Sequence, residues 1–181
     1  ERPDYVIHQA AQVSVPYSMA HPGEDAQVNI VGTVNLAVLC VEYQVKKLIF
    51  ASSAAVYGQP QYLPIDEAHP IQPLSYYGLS KYTAEQYLIQ IASQHELNYT
   101  ILRYANVYGP RQDAHGEAGV VSIFIDRLLK GDRPVIFGDG RQTRDFIFVQ
   151  DVAQANVRAI HHGDRQIVNV GCQQQTSLLE L

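Results

Sequence analysis

The sequence has 181 residues, of which 46% are hydrophobic and 17% are charged, a composition typical of a globular protein with a sizeable core. Its formal net charge is −5 and it contains no basic run, so we exclude nucleic acid and an anionic membrane surface as main partners. The longest apolar run, around residues 36–41, is too short to span a bilayer, and we find no signal peptide.

The two cysteines, Cys40 and Cys172, lie far apart in the sequence. We expect both to be buried free thiols, which predicts a reducing compartment and a cytoplasmic location. The seven histidines show no metal-ligand spacing, so we predict no metal site. The first strand begins within a few residues of the amino terminus, and residues 176–181 read as the start of a helix. We therefore expect the sequence to be the interior of a longer chain.

Hydrophobic periodicity predicts strands and helices that largely alternate along the chain. The predicted strands are 5–7, 47–53, 99–103, 134–137, 143–149 and 166–170, the first two of them buried. The predicted helices are 24–43, 77–93, 119–130 and 152–160, the last with Asp151 as its N-cap. Gly32 inside the first helix predicts a close approach of another part of the chain. This order predicts an α/β fold with a parallel sheet.

Tyr77 and Lys81 are four residues apart and share one face of a helix that Ser75 can cap. An ammonium group beside a phenol favours the phenolate and so lowers the pKa of the tyrosine from about 10. This pair can therefore supply a general base near neutral pH. The alternative is a packed tyrosine beneath a lysine stem, and Tyr76 is a rival tyrosine that points off the Lys81 face.

Small or polar residues follow three predicted strands at their carboxyl ends, where ligands gather in a parallel α/β sheet. These residues are Ala10 and Ala11 after the first strand, Ser52 and Ser53 at the end of the second, and Asn106 after the third. The alanines would let a flat ligand approach the backbone, and the alternative for them is tight packing. A serine at such a position can instead cap the backbone. Arg144 opens the strand 143–149, where a surface salt bridge is the general alternative.

Several motifs occur together in a fixed order, and they are His8–Ala11, Ser52–Gly58, Tyr77 with Lys81, Arg103–Asn106 and Gly138–Asp145. This set resembles the extended short-chain dehydrogenase/reductase family, in its NAD-dependent epimerase/dehydratase group, and most of all the UDP-glucose (UDP-galactose) 4-epimerases. The likeness covers essentially the whole chain.

The resemblance implies a Rossmann-like doubly wound parallel sheet whose N-terminal part is missing, with part of a small substrate-binding region. Residues 1–110 would be the C-terminal portion of an NAD-binding domain. Residues 111–181 would be mainly substrate-binding, with returning Rossmann elements at 151–170. The resemblance also implies a homodimer formed through helices 24–43 and 77–93.

The resemblance further implies a bound NAD, a UDP-hexose substrate and a role for each matching residue. Tyr77 would accept the proton of the sugar 4-hydroxyl, Lys81 would hold the nicotinamide ribose, and Ser53 would bond the reacting oxygen. A 4-keto sugar would form by hydride transfer to NAD, rotate, and regain the hydride on its other face. The cofactor-binding set would be Gln9, Ala10, Ala11, Asn29, Ser53, Tyr77, Lys81 and Ala105. The substrate-binding set would be Ser53, Asn106 and Arg144 (the last two at the diphosphate), with Val120, Val121 and Phe137 on the uridine side.

Similar enzymes catalyse other reactions, and the sequence disfavours some of these while others remain alternatives. The 4,6-dehydratases carry an acidic pair after the strand-end hydroxyl, but here those positions are Ala54 and Ala55, which disfavours elimination. A 4-reductase, an epimerase for UDP-N-acetylglucosamine or UDP-glucuronate, a non-catalytic regulator that binds a nucleotide sugar, and a structural pairing module remain alternatives.

The sequence also departs from the pattern of the family. No G-x-x-G-x-x-G turn for a pyrophosphate occurs among the twelve glycines, and Val13 stands where some epimerases have lysine. We therefore expect this polypeptide alone to bind NAD poorly and to be inactive, whereas the parent protein is active.

Overall fold

The computed structural model describes residues 2–114 and 119–181. Within them the α-helices are α1 (Val15–Ala20), α2 (Pro22–Ala26), α3 (Gly32–Glu42), α4 (Tyr76–Gln94), α5 (Val120–Leu129) and α6 (Val149–Ala159). The strands are β1 (Tyr5–His8), β2 (Lys47–Ser53), β3 (Asn98–Tyr104), β4 (Asn106–Tyr108), β5 (Thr143–Arg144), β6 (Phe146–Phe148), β7 (Gln166–Val170) and β8 (Thr176–Ser177). A π-helical turn, Gln27–Val31, joins α2 to α3, and a 3-10 turn, Ala54–Val56, follows β2.

The chain forms two compact units. The first unit contains Glu1–Tyr104 and Ala155–Asn169, and the second contains Ala105–Gln154 and Val170–Leu181. Among the helices of the described residues, none combines the length and the apolar character that a bilayer span requires.

A four-stranded sheet in the order β1-β2-β3-β7 organises the first unit. β2 pairs in parallel with β1 on one side and with β3 on the other, and Ser53 at its end lies opposite Tyr104. The carboxyl ends of these three strands therefore meet at one edge of the sheet. Helices α3 and α4 cover the sheet with an apolar core whose fully buried members include Ala37, Leu48, Phe50, Ala84, Leu88 and Ile101. The predicted α/β class with a parallel sheet is confirmed.

Two short sheets organise the second unit. β4 pairs in parallel with β6, and β5 pairs antiparallel with β8. The first of these pairs starts at Asn106, which lies opposite Phe146.

Several predictions about individual elements are wrong. Strand β1 is not buried, because it has a neighbour on one side only and Tyr5 and Ile7 are each 39% exposed. Residues 134–137 form no strand, and residues 143–149 form two short strands separated by Asp145. The predicted C-terminal helix start is strand β8 followed by a turn.

Three predictions about single residues also fail. Asp151 lies inside the first turn of α6 and is not its N-cap, because the helix already begins at Val149. Gly32 has no close neighbour, since a Cβ there would meet only the Gln27 carbonyl at 3.9 Å. Both cysteines are free as predicted, but Cys172 is exposed rather than buried.

Candidate active site

The first turns of α4 dock directly on the end of β2. Gly78 makes this contact possible, because a Cβ at that position would lie 2.5 Å from the Ala55 carbonyl oxygen. One turn later, Lys81 Nζ donates a hydrogen bond to the Ala51 carbonyl oxygen at 2.8 Å. The helix segment with Tyr77 and Lys81 is therefore held against the strand end that carries Ser53.

Ser53 ends β2 and caps the 3-10 turn that follows. Its Oγ accepts a hydrogen bond from the Ala55 backbone N–H at 3.1 Å, which fixes the side chain at the mouth of the strand. A serine hydroxyl can accept and donate at once, so this capping bond leaves the hydroxyl proton for another acceptor. The capping and the catalytic interpretations of Ser53 are thus compatible.

Tyr77 lies in the first turn of α4, whose N-terminus is stabilised twice. Ser75 Oγ caps the helix by accepting the Gly78 N–H at 3.1 Å, and Ser18 Oγ accepts the Tyr77 N–H at 3.1 Å. Ser18 is itself fully buried in α1. The half-buried Tyr77 therefore stands on a backbone that side chains of two helices hold in place.

Lys81 is 4% exposed, which is unusual for a lysine. Burial lowers its pKa from 10.5 to about 8, against the opposing attraction of Asp25 and Glu85. Its Nζ lies 5.1 Å from the centre of the Phe50 ring, a cation–π contact. Among the described residues Ala51 O is its one hydrogen-bond acceptor, so two of its N–H groups remain for a ligand.

Asn29 lies fully buried in the π-helical turn, a distortion that often marks functional sites. Its amide pairs with the backbone of Gln12, accepting the N–H at 2.9 Å and donating to the carbonyl at 2.9 Å. Asp25 Oδ1 at 3.1 Å and Ser80 Oγ at 3.0 Å also lie within hydrogen-bond distance of Asn29 Nδ2, whose two N–H groups are thus shared among three acceptors. Asn29 thereby ties the segment after β1 to α4.

The segment after β1 carries the other predicted cofactor residues of the first unit. Ala10 is exposed and Ala11 half-buried, so their small side chains leave the backbone approachable. Gln9 Nε2 donates to Tyr104 OH and to Asn156 Oδ1, each at 2.9 Å. Gln9 is therefore held at the carboxyl edge of the sheet, beside the end of β3.

Sequence reasoning missed a buried ion pair beneath this edge. Arg103 of β3 donates to both carboxylate oxygens of Glu85 on α4, at 3.0 Å from Nε and 2.6 Å from Nη2. Ser52 also donates to Glu85, and Arg103 donates to Tyr57 OH at 2.9 Å. Because a buried charge is tolerated only when paired, this bidentate contact locks α4 onto the sheet.

Sequence reasoning also missed Asp25, which is 1% exposed. The available signal was its spacing of four residues from Asn29, which places both on one helix face. This spacing made Asp25 a candidate site residue, but hydrophobic periodicity alone could not distinguish it from the other acidic residues.

The predicted substrate-binding residues of the second unit fall into two groups. Asn106 donates from its backbone and its side chain to the Asp145 carbonyl, at 2.9 and 3.2 Å, so it lies beside the residue that follows Arg144. Arg144 is exposed and uses one Nη1 donor on the Thr143 carbonyl at 2.8 Å. The structure therefore brings Asn106 and Arg144 together around Asp145.

The remaining predicted residues of the second unit are more scattered. Val120 and Val121 open α5 and are half-buried, and Phe137 is 84% exposed in a bend. Ala105 donates its backbone N–H to the Val170 carbonyl at 2.9 Å. No described contact joins Phe137 to Asn106 or Arg144.

Comparison with known proteins gives one family. The model of the NAD dependent epimerase/dehydratase family matches residues 1–171. The chain belongs to this family. A putative UDP-glucose 4-epimerase of Methanocaldococcus jannaschii is 53% identical over 179 residues, which are 98% of this chain and 58% of that protein.

Two solved structures are similar along nearly the whole chain. The UDP-glucose 4-epimerase of Thermotoga maritima, solved with UDP-glucose, has a TM-score of 0.97 at 46% identity and covers 99% of this chain and 59% of its own. A UDP-N-acetylglucosamine 4-epimerase of Methanobrevibacter ruminantium, in complex with UDP-N-acetylmuramic acid, has a TM-score of 0.94 at 40% identity. It covers 97% of this chain and 57% of its own. The chain thus spans somewhat under three fifths of the length of these relatives.

Gly78→Ala tests the docking of α4 on β2. The new Cβ would sit 2.5 Å from the Ala55 carbonyl oxygen, so the helix must move. We expect a loss of about 1–3 kcal/mol in the free energy of unfolding, measured by urea denaturation. Gly32→Ala is the matched control, because its nearest contact is an ordinary 3.9 Å and alanine favours the helix by about 0.5–1 kcal/mol. Equal stability of both variants would contradict the close docking.

Proposed function

We propose that the protein is an NAD-dependent nucleotide-sugar 4-epimerase that interconverts UDP-glucose and UDP-galactose. The main support is the docking of the Tyr77–Lys81 turn on the end of β2, because it holds a tyrosine, a buried amine and the Ser53 turn at one sheet edge. Membership of the epimerase/dehydratase family supports the same activity. A cytoplasmic location also belongs to this proposal, since both cysteines are free.

The residues of the first unit fit the nicotinamide end of NAD. Lys81 offers two N–H donors that suit ribose hydroxyls, and Ala10 and Ala11 leave the backbone after β1 approachable. We assign Gln9 and Asn29 to the same cofactor site, where Asn29 would act through the Gln12 backbone that it holds. The chemistry that NAD supplies when bound is reversible hydride transfer at the sugar C4.

The chain's own groups handle the proton and the orientation of the sugar. Tyr77, as phenolate, takes the proton of the 4-hydroxyl and later returns it. Ser53 donates a hydrogen bond from its hydroxyl to the same oxygen, which keeps that oxygen in place while its charge changes. Lys81, charged below a pH of about 8, stabilises the anionic form of Tyr77.

Assignments in the second unit complete the proposal. Asn106 and Arg144 would bind the diphosphate, for which the exposed guanidinium of Arg144 is chemically suited. Val120, Val121 and Phe137 would contact the uridine side, and Ala105 would contact the cofactor. UDP-N-acetylglucosamine is the second candidate substrate, supported by the Methanobrevibacter ruminantium relative. Dehydration is disfavoured, since Ala54 and Ala55 have no proton to give.

The assay is incubation of the complete protein with UDP-glucose, UDP-N-acetylglucosamine or UDP-glucuronate, each alone, followed by chromatographic separation of the 4-epimers. We expect UDP-galactose from UDP-glucose with no net consumption of NAD. Tyr77→Phe should lower kcat by about 10²–10⁴-fold, because it removes the proton acceptor. Tyr76→Phe is the matched control, one residue away and 44% exposed, and should retain activity.

Other outcomes of this assay would contradict the proposal. Net reduction of NAD would indicate a dehydrogenase, and a requirement for NADPH would indicate a reductase. Loss of water from the sugar would indicate a dehydratase. Equal activity of Tyr77→Phe and wild type would remove Tyr77 from the mechanism.

We also propose a homodimer formed through α3 and α4. The two helices pack against each other and keep Val38, Leu39, Leu79 and Tyr87 exposed, next to the exposed Val31 at the end of the π-helical turn. Such an apolar surface favours association with a second copy by a two-fold axis.

Val38→Glu tests this pairing surface. Val38 is 51% exposed, so the change should leave the fold intact and place a charge where the copies would meet. We expect light scattering after size exclusion to give a dimer mass for wild type and a monomer mass for the variant. Val157→Glu on α6 is the matched control at 61% exposure and should remain dimeric. A monomeric wild type would refute the proposed homodimer.

A further inference from the structure

Asp25 is a buried carboxylate to which no cation among the described residues is directly bound. Its Oδ1 accepts from Gln12 Nε2 at 2.6 Å and from Asn29 Nδ2 at 3.1 Å. Its Oδ2 has no hydrogen-bond partner among the described residues. Two neutral amides do not balance a buried negative charge, so a compensating positive charge is expected nearby.

Lys81 supplies this positive charge. It is as deeply buried as Asp25, and Asp25 is the group whose charge most favours the ammonium form there. Glu85 also attracts Lys81, but its two oxygens are already bound by Arg103. Two carboxylates thus interact electrostatically with Lys81, and of these Glu85 is paired with Arg103. In the described part of the chain, Asp25 has no such paired cation.

A chain of hydrogen bonds fixes Asp25 relative to the catalytic turn of α4. Asn29 Nδ2, which donates to Asp25, also donates to Ser80 Oγ at 3.0 Å. Ser80 Oγ in turn donates to the Tyr77 carbonyl at 3.0 Å. Asp25 is therefore linked through Asn29 to Ser80 and Tyr77, the residues one and four positions before Lys81 on α4.

We propose that Asp25 is a positioning residue that keeps the buried Lys81 amine protonated and so sets the pH up to which the enzyme works. The pH effect rests on the proposed function, because it is read as epimerase activity. The state of Lys81 itself does not rest on it.

The other groups facing Lys81 do not replace Asp25. Burial and, second to it, the charge of Lys81 lower the pKa of His8 on β1, so this histidine is neutral near pH 7 and supplies no charge that could replace Asp25. Phe50 on β2 offers only its ring, and Tyr77 shares α4 with Lys81. Loss of the Asp25 charge therefore lowers the pH at which Lys81 gives up its proton.

Asp25→Asn is the test variant, because asparagine keeps the shape and both accepted hydrogen bonds while it removes the charge. The readouts are the pH profile of kcat/KM for UDP-galactose and the pH titration of the Lys81 13Cε resonance, assigned with Lys81→Arg. We expect both the alkaline decline of activity and the Lys81 midpoint to move down by about one pH unit.

The matched controls separate the charge from the structural role. Glu24→Gln makes the same change of charge at the neighbouring residue, which is exposed, and should leave both midpoints unchanged. Asp25→Glu keeps the charge and should restore the wild-type Lys81 midpoint even where it lowers thermal stability. A purely structural Asp25 would alter the melting temperature of Asp25→Asn and leave the two midpoints in place.

The outcomes distinguish the two claims. If wild type epimerises no UDP-sugar, the proposed function fails and the Lys81 resonance still tests Asp25. If wild type is active and the Lys81 midpoint is equal in Asp25→Asn, the Asp25 proposal fails alone. If Asp25→Asn does not fold, the Lys81 midpoint is compared between Asp25→Glu and Asp25→Gln, two variants of equal size that differ in charge. If only Asp25→Glu folds, the carboxylate serves folding and the proposal is overturned.

Discussion

The hydrogen bond from Lys81 Nζ to the Ala51 carbonyl is the contact on which the candidate site depends. One turn earlier, α4 approaches Ala55 in the turn after β2 more closely than a side chain at position 78 would permit, and Gly78 allows this approach. The same approach removes the lysine from water, which lowers its pKa to about 8. The position of α4, the need for glycine at residue 78 and the lowered pKa of Lys81 thus follow from one packing arrangement. Together they create a site at the strand end that is suited to proton transfer.

Burial of a lysine at this edge costs free energy, and the surrounding polar groups offset that cost. Glu85 is neutralised by Arg103, which also anchors α4 to β3 through a bidentate contact. Asp25 is left with neutral partners, and its charge acts on Lys81. The fold therefore assigns two buried carboxylates on neighbouring elements to different tasks, one to hold the helix and the other to stabilise the amine.

The sequence alone predicted what depends on local pattern. β2, β3 and α4 are long or strongly apolar segments with clear boundaries, and Tyr77, Lys81 and Ser53 stood out by spacing and by position at strand ends. Prediction from the sequence failed where the structure depends on contacts between residues that are far apart in the sequence. The exposure of β1 follows from its place at the sheet edge, and residues 134–137 have strand composition but no partner strand within residues 2–114 and 119–181. The link from Asp25 through Asn29 to Ser80 includes a bond between residues 51 positions apart and leaves no periodic pattern in the sequence.

The proposed catalytic arrangement depends on the protonation state of the Lys81 amine, and the pH titration of this amine in the wild-type protein is the most direct measurement. Followed through the 13Cε resonance of Lys81, the titration should show a midpoint near pH 8, because burial outweighs the attraction of the two carboxylates. A midpoint at 10.5, the value of an ordinary lysine, would mean that the amine is in water and away from the Ala51 carbonyl. The proposed catalytic arrangement around Tyr77 would then be wrong.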